Sequence, residues 1–222
     1  MRECPLSPEG FRVNQPAPPP EPESPGDTPK RRQILDGARR MFLAKGFEGA
    51  SMQDVARAAG VSKGTLYVYF DNKEAMFEAL VAAECGRLQQ AIRSLGAGTS
   101  EVGHELRLIG LHLARVLLQD EMLAAMRMMI GAGDRFPALA RQVHEAGPAR
   151  SAQTLAEYLA ARAARGDLRI DDCQQAAREF LDLVFAGLQR RGLLMMPPLS
   201  EAETEAHVTR RVGHFLQIYA PG

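Results

Sequence analysis

From residue 29 onward the apolar residues of this chain return at every third or fourth position, and no alternating run of the kind that builds strands occurs. The pattern predicts an all-α protein. The first helix opens at Thr28-Pro29, a capping residue followed by a proline suited to the first helical position. It buries Ile34, Leu35, Ala38, Met41 and Phe42; Gly46 closes it and Phe47 folds back on the core. Two short helices follow. Ser51 caps the first, with Asp54 three residues on, and Val55, Ala58 and Ala59 form its small apolar face. Gly60 ends it where positive φ is wanted. Val61 plugs the gap, and Ser62 caps a second helix from Lys63 to about Tyr69, with Leu66 and Phe70 facing inward.

A fourth helix starts near Asn72 with Glu74 in its positive first turn, and carries Met76, Leu80, Ala83, Leu88, Ile92 and Leu95 before Gly96 and Gly98 break it. Further helices are expected over residues 100–118 and 121–132, from Pro137 to an interruption at Gly147-Pro148, and on to Arg165, with Gly166 as the stop. Asp171 caps the next, which runs to about Arg190. After a loop holding Pro197 and Pro198, a capping box of Ser200 and Glu203 opens the last helix. No internal repeat appears.

The tight pair of helices over residues 51–70 reads as a helix-turn-helix, whose second member enters the major groove of DNA. Lys63, Gly64, Thr65, Tyr67 and Tyr69 suit that task. Gly64 lets the backbone come close, Thr65 can meet a base edge or a thymine methyl, and the two tyrosines can donate to phosphate. The competing reading is a small surface helix with two half-buried tyrosines.

The flanks decide between them. The segments ILDGARRMFLAKGFEGAS, MQDVARAAGVSKGTLYVYF and DNKEAMFEALV, between Arg32 and Val81, resemble the DNA-binding domain of the TetR family of bacterial transcription regulators. Tyr69 stands where many members of that family carry histidine. The proline-rich composition of residues 1–27 sets them apart as a tail, while the resemblance implies a DNA-binding domain over 28–75 and a ligand-binding and dimerisation domain over 76–222. It implies contact with double-stranded operator DNA through Ser51, Met52, Ser62, Lys63, Gly64, Thr65, Tyr67 and Tyr69, with Lys73 resembling a recurring phosphate contact.

The later half is similar to the AefR-like branch of the family through FPALARQVHEAGP and RGDLRIDD. The family architecture then implies a homodimer through the last two helices. The candidates are Phe180, Leu181, Val184 and Leu188 with Val208, Val212, Phe215, Leu216 and Tyr219, whose spacing would equally suit an intrachain core. It also implies a pocket for a small, mostly apolar effector, lined by Leu111, His112, Met122, Met126, Met129 and Phe136. The three methionines read more simply as plain core, and His112 as a satisfied core histidine.

Charge sharpens the picture in one place. The whole chain is formally neutral, but between Lys30 and Leu80 nine basic residues oppose six acidic ones, where DNA contact needs the excess. The stretch Met1–Asp27 is proline-rich and acidic, with Arg2 and Arg12 against Glu3, Glu9, Glu21, Glu23 and Asp27. It is expected to be a disordered, variable tail, with a proline-recognition ligand as the alternative. Cys4, Cys85 and Cys173 have no paired spacing, which suits a cytoplasmic protein without disulfides or zinc. Cys85 is a redox sensor or, more simply, inert packing. No signal-peptide core or membrane-length apolar run appears, and no cofactor is implied.

The expected function is therefore repression relieved by an effector. The alternatives are a regulator set only by its own abundance, or an enzyme using a cavity in the helical half. The sequence has no P-loop, dinucleotide glycine pattern, HExxH or G-x-S-x-G. His104 with Glu101 and Glu105 has metal-compatible spacing, a set frequent on solvated helices.

Overall fold

The computed structural model describes residues 28–95 and 101–221. The tail over 1–27 and the break at Gly96 and Gly98 lie outside them. Eleven α-helices carry the described chain: α1 (Pro29–Gly49), α2 (Met52–Ala59), α3 (Lys63–Tyr69), α4 (Lys73–Leu95), α5 (Val102–Leu117), α6 (Asp120–Ala132), α7 (Pro137–His144), α8 (Arg150–Ala164), α9 (Cys173–Leu181), α10 (Gly187–Leu193) and α11 (Glu201–Tyr219). Among the described residues there is no strand.

Local chemistry sets most of the boundaries. Thr28 accepts from the Arg31 N–H at 3.1 Å, Asn72 from Ala75 at 2.8 Å, and Ser200 from Glu203 at 3.2 Å with the reciprocal bond complete. The cap of α9 is Asp172 rather than Asp171: its side chain accepts from the Gln175 N–H at 2.9 Å. In α1, Gly46 leaves helical geometry at φ 71° and swings Phe47 back under the helix. On α2 the buried positions are Val55, Ala56 and Ala59, while Ala58 is half-buried, as is Met41 on α1.

Gly147-Pro148 was expected to interrupt a helix, but the chain runs through. Glu145–Ala149 form a single wide π turn that joins α7 to α8 and holds Pro148 inside it. A side chain at Gly147 would come within 2.8 Å of Val81 and 2.9 Å of Cys85. The glycine thus lets this turn press directly on α4. A second wide turn, Asp182–Ala186, joins α9 to α10.

Two apolar cores result. The first gathers Ile34, Leu35 and Phe42 of α1, Val55 of α2, Leu66 of α3 and Met76, Phe77 and Leu80 of α4. Phe42, Phe47 and Phe77 lie 5.6–5.7 Å apart, ring centre to ring centre. This core continues past residue 75 along α4 and takes in Leu139 of α7. The second core packs Leu88 and Ile92 of α4, Leu106, Ile109 and Leu113 of α5, Leu155 and Leu159 of α8, and the inner faces of α9, α10 and α11. Helix α4 therefore belongs to both.

One polar cluster sits inside the second core. Glu105 and Arg162 are only 1 % and 4 % exposed and form an ion pair. The Tyr158 hydroxyl donates to Glu105 at 2.8 Å, and Arg162 also reaches Asp167 at 2.8 Å. Glu101 caps α5, accepting from Gly103 and His104. The Glu101, His104 and Glu105 spacing is thus spent on a cap and a buried ion pair.

Candidate nucleic-acid interface

The pair α2–α3 is fastened to α1 before it can meet anything else. Gln33 donates to the Ala59 carbonyl at 2.6 Å and Arg40 to that of Ala58 at 2.5 Å, so α1 side chains satisfy the open carbonyl end of α2. At the other end Ser51 and Asp54 make a full capping box, and Lys45 of α1 pairs with Asp54 at 2.8 Å. Gly60 takes φ 64° and turns the chain into α3.

The Lys45 ammonium first, and the Ser51 hydroxyl with it, hold the Asp54 carboxyl at about 2, below its ordinary 3.8. A carboxyl lowered in the folded state contributes stability above its unfolded value and loses it as the pH falls through the folded one. Thermal stability should therefore drop between about pH 4 and pH 2. Asp54→Asn should show a shallower drop in a pH series of melts; an unchanged slope would show that this box carries no pH dependence.

Helix α3 is capped by Ser62, which accepts from the Thr65 N–H at 3.0 Å, while the two hydroxyls lie 2.8 Å apart. Leu66 and Phe70 seal its underside, and the Arg31 guanidinium lies 5.1 Å over the Phe70 ring. The exposed side presents Lys63, Gly64, Tyr67 and Val68, with the Lys63 ammonium 5.8 Å over the Tyr67 ring. Thr65 and Tyr69 are half-buried. Ser51 and Ser62 are exposed at the two caps, and Met52 packs partly against the first core. The expected set omits Val68. Its place four residues after Gly64 puts it on that residue's face of the helix, which is the available signal.

Lys73 departs from its expected place. Its ammonium donates to the carbonyls of Phe47 at 2.9 Å, Glu48 at 3.2 Å and Ala50 at 3.5 Å, and lies 4.7 Å over the Phe47 ring. An ammonium has three protons, and three carbonyls take them. Lys73 here latches the start of α4 to the end of α1.

The six expected pocket residues are not brought together. Met129 and Phe136 join the first core, with the Phe136 ring 5.4 Å from that of Phe47. Met126 packs on the second core and accepts from Gln189 at 3.3 Å. Met122 lines a cleft of about 50 Å³ between α1, α4 and α6. His112 is half-buried; burial first, then Arg115 and Arg87, lower its pKa, and its buried Nε2 meets no hydrogen-bond partner among the described residues, so it is not the satisfied core histidine expected. Leu111 alone of the six faces a larger cavity of about 770 Å³. That cavity lies between α5, α6, α10, the 194–199 loop and the start of α11, with Leu123, Arg127, Leu188, Arg191 and Met196 on its walls. Cys85 is buried beside Gly147, and burial pushes its thiol pKa up, which keeps it unreactive.

The expected dimer set also needs correction. Phe180, Val184, Leu188, Val208, Val212 and Phe215 are buried in the chain's own second core and leave almost no surface for a second copy to touch. The two stripes face each other: the Phe180 and Phe215 rings meet edge to face at 5.2 Å. Leu181, Leu216 and Tyr219 are half-buried, and Ile218 is 61 % exposed.

Comparison with known proteins agrees with this geometry. Residues 34–80 match the family described as bacterial regulatory proteins, tetR family, and residues 104–221 match the AefR-like transcriptional repressor C-terminal domain. The chain is 29% identical over 177 residues to the HTH-type transcriptional repressor Rv1474c of Mycobacterium tuberculosis, covering 73% of this chain and 81% of that one. Among solved structures, a putative TetR-family regulator from Mesorhizobium loti superposes with TM-score 0.78 at 27% identity, over 87% of this chain and all of that one. The flavonoid-responsive regulator FrrA superposes with TM-score 0.70 at 34% identity, over 86% and 97%.

Proposed function

The chain belongs to the TetR family and is a DNA-binding transcription regulator of the repressor type, not an enzyme, and we propose that its exposed α3 face reads a pseudo-palindromic operator as a homodimer that a small, mostly apolar effector releases. The observation that carries the DNA reading is the α3 face itself. Leu66 and Phe70 lock the helix down, and Lys63, Gly64 and Tyr67 stand free above them. No helix among the described residues is long and apolar enough to cross a membrane.

Fluorescence anisotropy with DNA from upstream of the gene tests this reading. Half-site centres should lie about 34 Å apart, or a multiple of it. Tyr67→Ala and Tyr69→Ala should each weaken binding without loss of helical content, since phosphate contacts hold the reading helix in register. Lys73→Ala should lower affinity and melting temperature together, because it releases the latch on α1. A residue that only touched phosphate would lower affinity and the salt dependence and leave melting alone. Wild-type binding no tighter to upstream DNA than to random DNA would remove the operator reading.

For the dimer, the outward side of α11 replaces the buried stripes. Ile218, with the half-buried Leu216 and Tyr219 beside it, is the apolar surface this helix offers. Ile218→Glu should give folded monomers in sedimentation; a folded dimer would place the interface elsewhere.

The cavity of about 770 Å³ supports an effector, since small-molecule sites span about 300–1,000 Å³. FrrA, 34% identical, is a flavonoid-responsive regulator. Helix α6 connects this cavity to the DNA-binding helices. Its Leu123 and Arg127 wall the cavity, and just beyond its other end Arg135 pairs with Glu48 while Phe136 packs on Phe47. A ligand that favours one setting of α6 would shift the turn that Lys73 holds. A hundredfold loss of operator affinity requires about 2.7 kcal/mol of coupling, and operator must weaken the effector equally. Calorimetric titration into free and operator-bound protein measures both; equal affinities would mean that cavity and operator are uncoupled.

A further inference from the structure

One of the exposed side chains of α3 is fully apolar. Val68 is 81 % exposed, the highest value among the exposed large apolar residues of the described chain. A single exposed valine on an arbitrary surface would need no explanation. This one lies on the helix that reads DNA, next to Tyr67 and one turn beyond Gly64. A Cβ added at Gly64 would meet nothing but the Ser62 hydroxyl at 3.8 Å. The glycine leaves the face low on that side, so Val68 and Tyr67 stand above it.

The major groove displays donors, acceptors and one apolar group, the C5-methyl of thymine. An isopropyl group offers neither donor nor acceptor. Set against guanine N7 and O6 or the cytosine amino group, it would strip water from polar atoms and replace none of their hydrogen bonds. Set against a thymine methyl, it removes apolar surface from water on both sides. Resting on the reading of α3 as the operator-reading helix, we propose that Val68 is a specificity-determining residue, selecting a thymine in each half-site through its 5-methyl group. Lys63 and Tyr67, one turn apart on the neighbouring side of the helix, hold the backbone, and Val68 chooses the base.

The experiment removes the methyl group alone. Each thymine of the bound upstream fragment is replaced in turn by uracil, and affinity is measured for the wild type, Val68→Ala and Tyr67→Ala. Burying one methyl corresponds to about fourfold in affinity, and to about fifteenfold when both half-sites are changed. Wild type should lose that factor at one symmetric thymine position and be indifferent elsewhere. Val68→Ala, a surface change that leaves the core intact, should bind the thymine and uracil versions of that position equally. Tyr67→Ala should bind both more weakly and keep the preference. Wild-type indifference to uracil at every position overturns the assignment, and so does a thymine preference that survives in Val68→Ala. Either result leaves α3 as the reader if Tyr67→Ala still weakens binding; normal affinity in Tyr67→Ala and Val68→Ala alike would remove α3 itself.

Discussion

Phe215→Ala is expected to lower the free energy of unfolding by about 3–5 kcal/mol in a urea titration. The side chain is fully buried, edge to face with Phe180 and 4.7 Å from the Tyr219 ring. Removing it deletes its own burial and leaves a hole that rigid neighbours on α5 and α9 cannot fill. The aromatic geometry adds about 0.5–1.5 kcal/mol to what is lost. Whole domains are stable by about 5–15 kcal/mol, so a charge at this position should leave no folded protein. That outcome differs in kind from Ile218→Glu on the outer side of the same helix, which should change assembly and spare the fold. A loss below about 1 kcal/mol in Phe215→Ala would mean that α11 does not close the second core.

Glu105→Ala is the second change expected to be severe, about 3–5 kcal/mol by the same titration. The deletion takes its ion-pair partner on α5 from the Arg162 guanidinium, which the fold has almost completely removed from water, and leaves Asp167 to balance it. Burial alone would push Arg162 towards its neutral form, but Glu105, Asp167 and Tyr158 hold it charged. The Tyr158 hydroxyl is in turn held protonated by burial and by its bond to Glu105. The three side chains join α5 to α8, and Asp167 ties in the turn that follows. Taking one partner away costs far more than replacing the set. Glu105→Leu with Tyr158→Phe and Arg162→Met should recover most of the lost stability, because a packed apolar trio carries no desolvation penalty. If the triple variant is as unstable as Glu105→Ala, the network supplies something beyond charge balance, such as the register of α8.

The sequence by itself determined what is decided within a few residues. Ser51 with Asp54, Ser62, and Ser200 with Glu203 are caps because their oxygens reach an N–H three positions on. Gly60 ends α2 and Gly46 kinks α1 because both adopt positive φ. These local signals, with a 3.6-residue apolar period, were enough for most of the helices and for the helix pair. The tertiary structure decided what each buried face is buried against. Phe180, Val184 and Leu188 have the same spacing whether they meet a second copy or α11, and periodicity records burial without recording the partner. Met129 and Phe136 went to the first core and not to a pocket, because α6 folds back onto α1 and α7 onto α4. Lys73 looked like a phosphate ligand until the carbonyls at the end of α1 fell within its reach. Gly147-Pro148 reads as a break, yet the missing side chain of Gly147 is what lets a wide turn pack on α4. Each of these rests on a contact between residues far apart in the chain, and only the packing of the helices supplies it.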